Sequence, residues 1–334
     1  MRRLRLFSIP GKRAGRLRAR SITGAILIAA AALLPAAAYG QQLSKVRLAI
    51  GYIPNIQFTP LYVGIDKGFY RDEGIDLKIQ YGFGIDIFSL LALKRIDVGL
   101  SDSDQLIIAG SKGIGLQAIY QYYQSDPIAI VAKQDVISSP QDFIGKKIGT
   151  PELFGSSYIG LMLFLNHFHL AGKVIVERIG YSQIPSLLSD RVAGAVCFIT
   201  NETVKLRQMG IPIREWDVRD FSKMVGSSLI TSRAIVAERG DVLRRFIAAT
   251  RKATAYTVDH PDEALEIAMR YLDSPDRSQR PFLAASLAAT VSLFRSPGSY
   301  GAIDPATYQE SIQSLARIGM IPESYPAARI IHPF

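Results

Sequence analysis

The chain is poor in the residues that most often carry covalent, redox or metal chemistry. Cys197 is the only cysteine among 334 residues, and there are only four histidines. One thiol excludes an internal disulfide. Cys197 lies in an apolar stretch, which reads as a buried, inert thiol. His167 and His169 are two positions apart, so on a helix they point in different directions and do not share a metal. His260 and His332 stand alone. No metal site and no bound cofactor is expected. Nucleotide and nucleophile signatures are missing as well. There is no Walker sequence, and Gly82-Phe83-Gly84 lacks the third glycine of a dinucleotide fingerprint. The stretch from Gly110 to Gly115 has the wrong glycine spacing. Gly155-Ser156-Ser157-Tyr158 is not a nucleophile elbow.

Excess charge is also absent from most of the chain. The formal net charge is +10, from 39 basic and 29 acidic residues. Eight of the basic residues fall in the first forty positions, with no acidic one among them. The remaining 31 against 29 leave the body nearly neutral. Such a body has no general attraction for polyanions, so nucleic acid is not an expected partner. With 48% hydrophobic and 20% charged residues, the composition is that of a globular protein of about two domains.

The first forty residues have the form of an export signal. A basic stretch, Arg2 to Arg20, precedes an apolar run from Ala25 to Ala38. As a helix that run reaches about 21 Å, short of a bilayer core. Ala38-Tyr39-Gly40 then places small residues at −3 and −1 of a cleavage site. The expectation is a cleavable secretory signal over 1–40 and a soluble monomer in a bacterial periplasm; an uncleaved anchor is the alternative. Arg2-Arg3 lies far from the apolar run, which favours the general route over the twin-arginine one. No cysteine at the cleavage point is available to carry a lipid.

After the signal, short apolar strands alternate with helical patterns. Val46, Leu48 and Ile50 alternate with other residues as in a strand. Strands are also expected over 76–80, 98–100, 116–122 and 128–132, with helices at 60–67, 85–93 and 104–110. A second α/β set follows, with strands at 147–149, 174–179, 193–199 and 213–217, and a strand at 227–231 leads out of it. From Asp241 onward the pattern is helical. This order predicts mainly parallel sheets covered by helices. The helical tail either forms a third layer or returns to the first unit. The second arrangement makes the first lobe discontinuous, over 43–133 and 231–334, with the second lobe over 134–230. The chain would cross between lobes at 132–138 and 226–232. Those two short crossings would act as a hinge, and ligands of open α/β sheets bind beyond the carboxyl ends of the strands.

The loops expected at those ends are rich in polar and aromatic groups. Asn55, Gln57 and Phe58 follow the first strand, Asp102 and Ser103 the third, and Tyr122 and Tyr123 the fourth. In the second unit, Gly155, Ser156, Ser157 and Tyr158 open a helix. Tyr181 follows the next strand, and Asn201 and Glu202 the one after. Each has a plainer reading as a helix cap or packing residue. As one cleft they suit a planar, polar heteroaromatic ring, with tyrosines on its faces and amides and carboxylates along its edge. They suit a small anion poorly, since none of these loops offers an arginine.

Several stretches resemble a known family. The run from Gly51 to Gly74, with Tyr52, Pro54, Asn55, Phe58, Pro60 and Lys67-Gly68-Phe69-Tyr70, resembles the opening of substrate-binding proteins of ABC transporters, in the thiamine-pyrimidine and alkanesulfonate group. Ser139-Pro140-Gln141-Asp142-Phe143 to Gly149 resembles the start of their second domain. Phe154 to Gly160, Ile179 to Gln183 and Thr200-Asn201-Glu202 are most similar to the branch that delivers riboflavin or thiamine-pyrimidine precursors. The resemblance covers about residues 45–260.

It implies a two-lobed α/β periplasmic binding protein of type II, whose hinged lobes close on a small molecule for delivery to an inner-membrane ABC permease. Riboflavin or a related flavin is the first expected ligand. A formylated aminopyrimidine is second and an alkanesulfonate third. The group includes fungal pyrimidine-phosphate synthases, which resemble the carriers in fold but use a cysteine-rich motif with a reactive histidine and lysine. With one cysteine and an export signal, this chain is expected not to be an enzyme. A periplasmic sensor with the same lobes is the remaining alternative.

Overall fold

A computed structural model describes Gly11 and residues 42–273, 276–296 and 298–334. The expected signal segment over 1–40 lies outside the described residues, apart from Gly11. In chain order the elements begin with β1 (Ser44–Ile50), α1 (Thr59–Asp66), α2 (Phe69–Asp72), β2 (Ile75–Tyr81) and α3 (Ile87–Ala92). They continue with β3 (Val98–Asp102), α4 (Ser103–Ser111) and β4 (Leu116–Gln121). Next come β5 (Ile128–Lys133), β6 (Lys147–Thr150), α5 (Gly155–His167), β7 (Ile175–Arg178) and α6 (Gln183–Leu188). Then follow β8 (Gly194–Phe198), α7 (Glu202–Gln208), β9 (Ile213–Asp217) and β10 (Ser227–Ser232). The tail is α8 (Arg233–Asp259), α9 (Pro261–Met269), α10 (Arg280–Phe294) and α11 (Pro305–Arg317).

These strands form two five-stranded sheets of matching plan. The first has the order β2-β1-β3-β10-β4 and the second β7-β6-β8-β5-β9. In the first, β1 runs parallel to β2 and β3, while β10 lies antiparallel between β3 and β4. In the second, β6 runs parallel to β7 and β8, and β5 lies antiparallel between β8 and β9. In each sheet the antiparallel inner strand, β5 or β10, is the one that directly follows a crossing. That strand sits inside the sheet, and its fully buried residues show why. Ile128 to Ala132 in β5 are solvent-free, as are Leu229 and Ile230 in β10.

This pairing corrects the expected crossings. Strand Ile128–Lys133 was expected in the first lobe and pairs in the second sheet; Ser227–Ser232 was expected to lead out of the second and pairs in the first. The chain therefore passes between sheets at 122–127 and 218–226, one strand earlier than expected each time. An apolar run buried on both faces says that a strand is central, and says nothing of which sheet owns it. The two crossings run side by side. The backbone N–H groups of Tyr122 and Tyr123 both donate to Ser227 O at 2.9 Å. A Cβ on Gly226 would come within 2.4 Å of Ser125 O, so only glycine lets the segments touch.

The helical tail returns to the first sheet. Tyr70 on α2 stacks on Phe246 of α8, with centroids 5.6 Å apart. Its hydroxyl lies 3.1 Å from Thr250 Oγ1, and Tyr120 of β4 meets Thr254 Oγ1 at 2.8 Å. The C-terminal segment completes the β4 edge: Ala118 N donates to Ile330 O, and His332 N to Ala118 O. No helix among the described residues is long and apolar enough to cross a membrane.

Candidate functional site

The carboxyl ends of β1, β3, β6 and β8 face one another across a cavity of about 370 Å³. This is within the range of small-molecule sites. Its first wall is built on the loop after β1. Asn55 Oδ1 accepts the Gln57 N–H at 3.1 Å and so caps the turn Ile56–Phe58. The Asn55 N–H donates to the Tyr62 hydroxyl. Tyr123 donates its hydroxyl to Gln57 Oε1 at 3.4 Å, which orients that amide. Phe58 and Tyr52 add apolar surface.

The second wall is a carboxylate that ties the sheets together. Asp102 at the end of β3 accepts the Ser227 hydroxyl of β10 at 2.6 Å on one oxygen. Its other oxygen accepts the Ser156 hydroxyl, at the start of α5, at 2.8 Å. Gly155 has φ +76°, a conformation that L side chains resist, and it sets the entry to that helix. Below Asp102 lies Asp104, 3% exposed, with Oδ2 unpartnered among the described residues. Burial, then the Asp102 charge, pushes the Asp104 carboxyl up to about 7. Burial also drives Asp126, on the first crossing, well above the carboxylate range, and Asp104, Asp102 and Asp217 add to the rise.

The third wall comes from α7. Glu202 accepts the Phe198 N–H at 2.9 Å on Oε2 and the Asn201 side-chain amide at 3.0 Å on Oε1. Burial raises its pKa, opposed by these hydrogen bonds. Tyr181 stands at the mouth, 70% exposed. Phe83 lies 6.1 Å from it and 5.1 Å from Tyr52, centroid to centroid.

Of the residues read from sequence, Asn55, Gln57, Phe58, Asp102, Tyr123, Gly155, Ser156, Ser157, Tyr181, Asn201 and Glu202 line this cavity. Three do not. Ser103 is buried under β10, where its hydroxyl meets Ser228 Oγ at 2.7 Å. Tyr122 is buried behind the wall; its hydroxyl donates to Gln57 O at 2.9 Å, and its ring packs on Phe294. Tyr158 follows the first turn of α5 and is half-buried away from the cleft.

The sequence reading gave α10 as a helix and missed its place in the cleft. Phe282, Ser286 and Thr290, with Leu283, form a fourth wall. Ser286 donates to Thr200 O at 2.7 Å and so joins the tail to the second sheet. The signal was present: small hydroxyls and one ring at i, i+4 and i+8 of an otherwise apolar helix. No lysine, arginine or histidine lines the cavity among the described residues. No group of three or more metal-ligating side chains occurs among them.

A profile of the family described as NMT1/THI5 like matches residues 55–264, well over half of the chain. The chain belongs to the NMT1/THI5-like family. One relative is a riboflavin-binding protein of Chloroflexus aurantiacus, RibY. It is 31% identical over 235 residues, which are 69% of this chain and 67% of that one. Another is a formylaminopyrimidine-binding protein of Halalkalibacterium halodurans. It is 27% identical over 321 residues, covering 88% of this chain and 92% of that one. Relatives named 4-amino-5-hydroxymethyl-2-methylpyrimidine phosphate synthases match at 25% identity or less. Among solved structures, the periplasmic aliphatic sulphonate binding protein SsuA of Escherichia coli superposes with a TM-score of 0.69 at 14% identity. The match covers 86% of this chain and 92% of that one. This NMT1/THI5-like chain therefore has the two-lobed α/β fold of periplasmic binding proteins, and its cavity lies where the two sheets meet.

Proposed function

We propose that this protein is the solute-binding component of an ABC importer and that it carries riboflavin or a related flavin to an inner-membrane permease. The observation that carries the reading is the cavity itself. It has aromatic and apolar walls, amides and hydroxyls on several sides, and carboxylates at Asp102, Glu152 and Glu202, with no basic side chain among the described residues. Such a site favours an uncharged, flat ring with several N–H or O–H groups and disfavours a free sulfonate. The likeness to a riboflavin-binding relative supports the same class. The step is capture: a ligand that touches both sheets binds the closed arrangement better and shifts the population toward it. We place the protein outside the inner membrane as a monomer, with its signal removed.

A formylated aminopyrimidine is the second reading, because the relative that binds one aligns over more of both chains. The two readings separate in one experiment. The full chain, purified after export, is titrated with riboflavin and with formylaminopyrimidine by calorimetry, and any co-purified ligand is identified by mass. Binding of riboflavin in the micromolar range or tighter supports the first reading. Pyrimidine binding without riboflavin binding replaces it with the second.

A further inference from the structure

A second cavity of about 330 Å³ adjoins the first. Tyr181, Gln183, Asn201, Glu202 and Phe282 border both, and we read the boundary they share as a doorway. Beyond it the annex is bounded by Ile184, Pro185, Lys205 and Gln279. Its chemistry changes from one end to the other. At the doorway, Glu202 and Asn201 offer oxygen acceptors, and Glu202 has lone pairs left after its two protein bonds. At the outer end stands Lys205, a cation in a site whose first compartment has none. Its ammonium lies 5.3 Å from the centroid of the Phe282 ring. No carboxylate pairs with it among the described residues. Glu202 and Lys205 are three apart on α7 and so share a face of that helix.

A ligand that uses both cavities needs a flexible tail with hydroxyl donors near the ring and an acceptor or anion at its end. From this geometry we infer that the annex is a tail subsite, that it selects ring compounds carrying a polyhydroxyl chain, and that Lys205 extends the range of ligands to chains ending in phosphate. The inference rests on the flavin reading and narrows it. Flavins with a ribityl tail are held at two compartments. Tailless flavins are held at one. Flavin mononucleotide is accepted rather than excluded, because Lys205 offers its phosphate a cation beyond Glu202.

The test titrates the full chain with lumiflavin, riboflavin and flavin mononucleotide by fluorescence quenching, at low and high salt. Riboflavin should bind at least tenfold more tightly than lumiflavin, as two or more hydrogen bonds to the tail require, at about 1 kcal/mol each. The mononucleotide should bind about as tightly as riboflavin at low salt and lose ground at high salt, where its phosphate is screened. Lys205→Gln should shift the affinity ratio of mononucleotide to riboflavin against the mononucleotide by ~tenfold and abolish the salt effect on that ratio. Lys205 is exposed, so the variant is expected to fold, which a thermal melt verifies. Equal affinity for lumiflavin and riboflavin would overturn the tail subsite, and an unchanged ratio in the variant would remove Lys205 from it. If none of the three flavins binds, the flavin reading itself fails, an outcome distinct from either of those.

Discussion

Asp104 offers the sharpest check on the interior of the cleft. Its carboxyl is buried between the two sheets with the Asp102 carboxylate beside it and Ser156 of α5 packed over it. Asp126 lies on the adjoining crossing, and Asp217, which acts on Asp126, is itself bound by Arg219 at 2.9 Å. No lysine or arginine pairs with Asp102, Asp104 or Asp126 among the described residues. With its pKa raised to about 7, Asp104 holds a proton in the folded protein over a range where the unfolded chain has released it. Unfolding then releases that proton. Stability must fall as pH rises from about 4 to about 7, and above that the full cost of an ionised, buried carboxylate is present. At 1.36 kcal/mol per pH unit the cost is bounded by about 4 kcal/mol. In a domain of this size that amounts to on the order of 5–10 °C in Tm. Asp104→Asn keeps the shape and cannot ionise. The variant should match the wild type near about pH 4 and melt several degrees higher near about pH 8. Asp126 and Glu202 are pushed in the same direction, so the variant retains some downward slope. The growing difference between the two curves is the quantity to read by calorimetry. Parallel curves would mean that Asp104 is ionised throughout and that water or a cation reaches it.

Three further outcomes follow from the site geometry. Glu202→Ala should weaken flavin binding by about tenfold or more in calorimetric titration, since a charged hydrogen bond contributes about 1.5–3 kcal/mol; unchanged affinity would take Glu202 out of the site. It should also lower Tm, because the Phe198 N–H loses its acceptor. Tyr123→Leu should reduce quenching of flavin fluorescence, whereas Tyr122→Leu should cost stability and leave quenching nearly intact, because only Tyr123 reaches the cavity. Equal quenching losses in the two would contradict that placement. Ser156→Ala removes the hydroxyl that Asp102 accepts across the cleft. Small-angle scattering of the ligand-bound variant should then show a larger radius of gyration than the bound wild type; identical radii would show that this bond does not hold the sheets together.

The sequence determined the elements and most of the lining of the cleft. Alternation at Val46, Leu48 and Ile50 marked a strand, and the fold covers its other face too at Ala49. The polar loops after such strands had to gather where parallel strands end. Hence Asn55, Asp102, Ser156 and Glu202 were legible from local pattern alone. Three things needed the tertiary structure. Tyr122 and Tyr123 sit in a bend with their rings 5.2 Å apart and both against Phe294, and no local signal says which of the two reaches the cavity. Ile128 to Ala132 and Ser227 to Ser232 are buried on both faces, and a run that satisfies any central position does not name its sheet. The pairing of β5 with β8 and of β10 with β3 decided it, and with it the position of both crossings. The hydroxyl stripe of α10 lies about 160 residues or more beyond the cleft loops of the first sheet. It becomes part of the site only because the tail folds back over that sheet, and a contact made by chain return leaves no trace in the spacing of neighbouring residues.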